Sequence, residues 1–223
     1  MTDPVAFIRA QTQILPPPLV PEIPLHLATE VTPLWQMTEE RLRQGDLPPP
    51  FWAFAWPGGQ GVARYILDNP EWVRGKRVVD FAAGSGIAAI AAMKAGAKSA
   101  LAVDIDKLAL EAIRLNAKHN QVVISVNEGI NLTKPYAKAD LILAGDICYQ
   151  QSMSTTLTRW LRLCIDRGTQ VLIADPGRAY VPQDGMRKLA SYDVQTSRDL
   201  EDSDIRTVTV WQLENRSAEA VEF

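Results

Sequence analysis

Residues 77–90 read RVVDFAAGSGIAAI. An apolar run ends in Gly84-x-Gly86-x-x-Ala89 and passes straight into small helix formers, the pattern of a strand, a tight glycine turn and a helix. Such a turn fits a dinucleotide, whose pyrophosphate sits on the turn and on the helix N-terminus. Asp80, however, stands four residues before the first glycine. A carboxylate there raises the question of which ligand the turn is built for.

Working outward, strand and helix signals alternate. Val78–Phe81 is a strand, GIAAIAAMKAGA a helix ending at Gly96, and ALAVD a second strand closing on Asp104. Asp106 is a helix cap, and Leu108, Ala112, Leu115 and His119 recur at helical spacing up to Asn120. VVISV and ADLILAGD are the third and fourth strands. SMSTTLTRWLRLCIDRG is a helix built on Leu157, Trp160, Leu161 and Cys164, and QVLIAD is the fifth strand. Upstream, PGGQGVARYILDNP predicts a helix from about Gly59 to Asp68, stopped by Pro70. This alternation predicts an α/β, Rossmann-like sheet covered by helices on both faces. YDVQTSRD and RTVTVWQL then form a hairpin, so a seven-stranded, mostly parallel sheet ends on an antiparallel strand.

Ten of the fifteen prolines fall in residues 1–50. That stretch is expected to be an ordered arm, too proline-rich for a core strand yet too apolar for a disordered tail, with one short helix over Thr32–Arg43. Packing against the domain and facing the substrate are both open roles for it. The domain proper is expected over 51–214, with a frayed tail at 215–223.

The net charge of −3 and a pI near 5.5 argue against nucleic-acid binding. Cys148 and Cys164 make no framework and are expected as buried free thiols; with only His26 and His119 besides, no metal site is expected. No signal peptide or membrane span is visible, so the expectation is a cytoplasmic protein without membrane contact.

In doubly wound sheets ligands bind at the carboxyl ends of the strands, and the acids collect there: Asp80, Asp104, Asn127-Glu128, Asp146 and Asp175. Asp80 would lie near two phosphate charges of a dinucleotide, an unfavourable contact in a partly dry cleft. S-adenosylmethionine carries no phosphate; its amine and sulfonium are cationic, and an acid beside the turn suits it. Asp104, twenty residues after Gly84, can accept from ribose hydroxyls of either ligand and does not discriminate.

Strand, Asp80, glycines, Asp104 and the terminal hairpin together resemble the class I S-adenosylmethionine-dependent methyltransferases. GDICY, with Asp146-x-x-Tyr149, is similar to the Asp/Glu-x-x-Tyr motif of the seven-strand protein-lysine methyltransferases, and FWAFAWPGGQ to their upstream Trp motif. With VLIADPGR, the set resembles most the family that methylates lysine in the electron transfer flavoprotein β subunit, over about residues 22–214. The resemblance implies that Trp56, Asp80, Ala83, Gly84, Ser85, Gly86, Asp104, Asn127, Glu128 and Gly145 line the cofactor site, with S-adenosylhomocysteine as product. It implies that Asp146 and Tyr149 adjoin the acceptor lysine, and that the partner is a protein, the flavoprotein β subunit, with ribosomal proteins as a further acceptor class. The enzyme is expected as a monomer. A small-molecule N-methyltransferase, an NAD-dependent oxidoreductase and a non-catalytic binding module are the alternatives. Asp175-Pro-Gly-Arg178 either holds substrate or shapes its turn.

Overall fold

The computed structural model describes residues 3–29, 34, 49–196, 201 and 203–215. The helix expected over Thr32–Arg43 and the tail beyond Asn215 lie outside the described residues. The chain begins with a helix that the sequence reading misses, α1 (Pro4–Gln11), although its signal is local. Asp3 caps it by accepting from the amides of Val5 and Ala6, and Pro4 occupies the first helical position. An antiparallel pair follows, β1 (Gln13–Leu15) and β2 (Leu25–Leu27).

The main sheet has seven strands: β3 (Arg77–Phe81), β4 (Ser99–Asp104), β5 (Ser125–Glu128), β6 (Leu141–Gly145), β7 (Gln170–Asp175), β8 (Met186–Gln195) and β9 (Ile205–Leu213). Their order is β5-β4-β3-β6-β7-β9-β8. β9 runs antiparallel to both β7 and β8, so the hairpin inserts one reversed strand into an otherwise parallel sheet, as expected.

Side-chain alternation assigns the two faces. Val78, Leu141, Leu143, Leu172 and Ala174 join Val62 and Ile66 of α2 (Pro57–Asp68) and Ile87 and Ile90 of α3 (Ile87–Lys94). Val79, Ile142, Ala144, Val171 and Ile173 join Leu157, Trp160 and Leu161 of α5 (Gln151–Ile165). α4 (Lys107–His119) covers β4 with Leu110 and Ile113. Residues 129–140 carry no helix. Ile130, Leu132 and Tyr136 pack against the α5 cluster instead, and Trp160 Nε1 donates to the Lys134 carbonyl at 3.0 Å. Both cysteines are buried free thiols, and among the described residues no helix is long and apolar enough to cross a membrane.

Two strand boundaries differ from expectation for identifiable reasons. The third strand begins at Ser125, not Val122, because the Val122 amide is used to close α4, donating to the Ala117 carbonyl. β8 begins at Met186, upstream of Tyr192, because β9 is long enough to pair with it from Leu213 back, across a bulge at Lys188/Ala190.

The arm packs into this core. Val20, Ile23 and Leu25 are fully buried among side chains of α2 and α3. α2 itself lies so close to the sheet that a Cβ on Gly61 would stand 2.6 Å from Val208 Cγ1 of β9. Gly61→Ala therefore loses about 1–3 kcal/mol by overpacking, even though alanine is the better helix former. Chemical denaturation of the variant measures this, and a more stable protein would contradict the close approach.

Candidate active site

The turn after β3 is tightly wound. Ala82, Gly84 and Gly86 have φ of 54°, 52° and 80°. For Ala82 this left-handed geometry is strained, as active-site backbone often is. Gly86 is the N-cap of α3 and offers no side chain. Asp80 supplies the missing acceptor, since its Oδ2 takes the Ala89 amide of the first turn of α3 at 2.9 Å. Asp80 is 3% exposed, so its carboxyl is tied to the helix behind the turn rather than displayed in the cleft. Burial, opposed by the Ala89 amide and reinforced by the Asp104 charge, pushes it up to about 8.

Asp104, at the end of β4, holds the turn from the open side. Its Oδ2 accepts the Gly84 amide at 2.9 Å and its Oδ1 the Asp106 amide at 3.0 Å. Ala83 and Ser85 are buried, and the Ser85 carbonyl accepts from Asn116 Nδ2. Glu128 pairs in register with Asp104. Glu128 and Asn127 are exposed; Glu128 reaches Lys107 at 3.9 Å, and Asn127 Nδ2 bonds the Gly129 carbonyl. Ile105, next to Asp104, is 80% exposed. The sequence reading passes over it because a single apolar residue in a loop carries no pattern.

An aromatic wall faces this turn. Trp56 Nε1 donates to the Phe51 carbonyl at 2.8 Å, and the Phe51 ring lies 5.7 Å from Trp56 and 6.0 Å from Tyr149. The same Phe51 carbonyl comes within 3.9 Å of where a Gly84 Cβ would stand. Tyr149 is 42% exposed, so it lines an opening rather than a core. Burial and the Asp104 charge push its phenol up.

The third corner is Asp146. It follows β6 with φ of 57° and is not the N-cap of α5, a place held by Gln150. Its Oδ2 accepts the Gly59 amide at 2.9 Å, and its Oδ1 accepts from Arg178 Nη1 at 2.6 Å. The approach leaves no room for side chains: a Cβ on Gly58 would lie 2.6 Å from Asp146 Oδ2, and one on Gly145 2.6 Å from the Gly59 nitrogen. Gly145 is thus required by backbone packing. Arg178 Nη2 donates to Glu201 Oε1 at 2.6 Å, and Glu201 also faces Arg206. Asp175 accepts the amides of Gly177 and Arg178 and so shapes the DPGR turn, which aims Arg178 at Asp146. Burial outweighs Arg178 and pushes Asp146 up to about 6.

Glycine turn, aromatic wall and Asp146 thus converge at the carboxyl ends of β3, β4 and β6. A groove of about 500 Å³ elsewhere, lined by Arg77, Val79, Ser99, Leu101, Ser125 and Tyr136, lies at the amino ends of β3, β4 and β5, and its lining includes none of these acids. The donors and acceptors around the turn fit S-adenosylmethionine. Asp104 and Glu128 are acceptors for hydroxyls and cations, and Lys107, the basic side chain named beside them, is paired with Glu128 at 3.9 Å.

The solved structure of a candidate RNA methyltransferase from Pyrococcus horikoshii shares this fold, with a TM-score of 0.56 at 15% identity over 81% of this chain and 99% of that one. A family model described as ribosomal protein L11 methyltransferase (PrmA) matches residues 66–149. The fold is that of the class I S-adenosylmethionine-dependent methyltransferases. The electron transfer flavoprotein beta subunit lysine methyltransferase of Xenopus laevis is 40% identical over 96% of this chain and 88% of its own length. The protein of the same name from Homo sapiens is 38% identical over 92% and 80%. The chain belongs to the electron transfer flavoprotein beta subunit lysine methyltransferase family.

The Asp80 environment has a measurable consequence. Its folded pKa lies above that of the unfolded chain, so the folded state keeps a proton the unfolded state has released, and stability falls as pH rises from about 4 to about 8. Asp80→Asn removes this dependence while leaving an oxygen for the Ala89 amide. Its melting temperature relative to the unaltered protein is expected to rise steadily between pH 5 and pH 8; a constant difference would refute the raised pKa.

Proposed function

We propose that this protein transfers a methyl group from S-adenosylmethionine to a lysine ε-amine of the electron transfer flavoprotein β subunit. The observation that carries the reading is Asp146: a largely buried acid after β6, its carboxylate oriented by Arg178 and the Gly59 amide, three residues before the exposed Tyr149 of the aromatic wall, where a lysine would present its amine. Family membership supports the acceptor class, and the fit of the turn supports the cofactor. Gly84, Ser85, Asp104, Asn127 and Glu128 would hold the cofactor, with Trp56 against it. Asp80, Ala83, Gly86 and Gly145 would act by shaping the backbone around it.

When bound, S-adenosylmethionine supplies an electrophilic methyl on a sulfonium. The chain's own residues must deliver a neutral amine in line with it, and positioning and exclusion of water are their main contributions. Freeing a lysine amine at pH 7, from an ordinary pKa near 10.4, costs roughly 4–5 kcal/mol. Asp146 attracts the ammonium and accepts its proton or hydrogen bond. Arg178 and the Gly59 amide hold the carboxylate oxygens in place meanwhile. Tyr149 and Phe51 wall the approach and keep water from the amine.

Asp146→Asn is expected to lower the methylation rate on the order of 100-fold or more, while S-adenosylhomocysteine affinity, measured by calorimetry, stays within about threefold. Mass spectrometry of purified electron transfer flavoprotein after incubation with enzyme and cofactor should show methyl groups on β-subunit lysines; label confined to small molecules would sink the protein-acceptor reading. Because only the ionised carboxyl can serve, kcat/KM is expected to fall as pH drops through about 6, where Asp146 takes a proton. An acid limb unchanged in Asp146→Asn would assign that titration elsewhere.

A further inference from the structure

The N-terminal arm touches both walls of the cleft through two buried amide side chains of the same construction. Gln60 of α2 is 1% exposed; its Oε1 accepts the Leu19 amide of the arm at 3.0 Å, and its Nε2 donates to the Ala55 carbonyl in the aromatic segment at 2.6 Å. Asn116 of α4 is fully buried; its Oδ1 accepts the His26 amide of the arm at 2.7 Å, and its Nδ2 donates to the Ser85 carbonyl of the glycine turn at 2.8 Å. Each side chain therefore accepts a hydrogen bond from the arm backbone and donates one to a wall of the cleft. An apolar side chain at either place would leave one arm amide and one cleft-wall carbonyl without a partner, so each amide side chain joins the two backbone groups directly. Further contacts run alongside. The Ala28 amide donates to the Ala53 carbonyl at 2.9 Å, Asn120 Nδ2 bonds the Pro24 carbonyl, and Ile8 packs with Trp52, Phe54 and Leu108.

We propose that Gln60 and Asn116 are positioning residues that make the docking of the N-terminal arm and the binding of the adenosyl cofactor one coupled equilibrium. The proposal rests on the cofactor reading above. With the arm seated, Asn116 fixes the Ser85 carbonyl and hence the peptide planes of the turn, and Gln60 fixes the segment that carries Phe51 and Trp56. A cofactor that orders turn and wall must then also tighten the arm, because coupling between sites is reciprocal. The described part of the arm, through Leu19 and His26, thus braces the two walls of the cleft.

The test uses the full chain and S-adenosylhomocysteine. In the unaltered protein, ligand should slow hydrogen exchange of the arm amides around Leu19 and His26 at least threefold. Asn116→Leu and Gln60→Met should each weaken ligand affinity about tenfold or more in calorimetry and raise KM for the cofactor, with KM for the protein acceptor unchanged. They should also abolish the ligand's effect on arm exchange. A purely structural role gives a different result, a lower melting temperature with ligand affinity intact, and that overturns the proposal. Arm exchange indifferent to ligand in the unaltered protein overturns it without any variant. No binding of S-adenosylhomocysteine to the unaltered chain overturns the cofactor reading and this proposal together, and so separates the two failures.

Discussion

Two helix N-termini in this fold, those of α2 and α3, are stabilised from outside their own sequence. α2 starts after Trp56 and α3 after Gly86, and neither N-cap residue bonds its helix through a side chain. In both, the third helical amide is taken by an aspartate from a neighbouring strand end: Gly59 by Asp146, and Ala89 by Asp80. The positive end of each helix dipole favours a carboxylate at that place. The strand must then approach the helix with backbone against backbone, which is why Gly58 and Gly145 cannot carry side chains. The acids of the cleft are therefore part of the scaffold, and the scaffold's geometry is set by them.

That double duty explains the electrostatics. A carboxylate used only for charge attraction would sit at the surface and titrate normally. Asp146 is held below the rim between a helix amide and Arg178, where burial raises its proton affinity toward neutrality while the arginine opposes the shift. Glu201 takes the second nitrogen of Arg178, so the guanidinium offers Asp146 only Nη1.

The residues that declare the fold are local. RVVDFAAGSG and the cap Asp106 each act within about ten positions of their neighbours, and the alternation of strand and helix can be followed from them. The end of the sheet was also legible, since two strand-like runs with an acidic link leave little besides a hairpin. The contacts that build the acceptor corner are not local. Asp146 meets Gly59 across 87 residues and Arg178 across 32. No spacing rule ties them together, so DPGR could be read as a turn or as a substrate holder but not as the clamp on Asp146. Asp80 stands out in the sequence for its charge, whereas in the structure burial favours its protonated form and its carboxyl oxygen serves the Ala89 amide of α3. α1 was missed for a different reason. Its cap and proline are present in the sequence, but the proline-rich segment after it draws attention to what breaks helices rather than to what starts one.

The reversed strand β9 has a consequence for synthesis. It fills the slot between β7 and β8 and carries Val208 beneath Gly61 of α2. Until residues 205–213 have left the ribosome, β7 presents an unpaired edge and α2 lacks part of the floor it rests on. β8, at the edge of the sheet beyond β9, can join it only when this last strand arrives, and Gly61 of α2 gains Val208 beneath it at the same moment. A prematurely terminated chain would thus carry a recognisable cofactor turn and an open, adhesive sheet edge together, a form that a cell's proteases could distinguish from the finished enzyme.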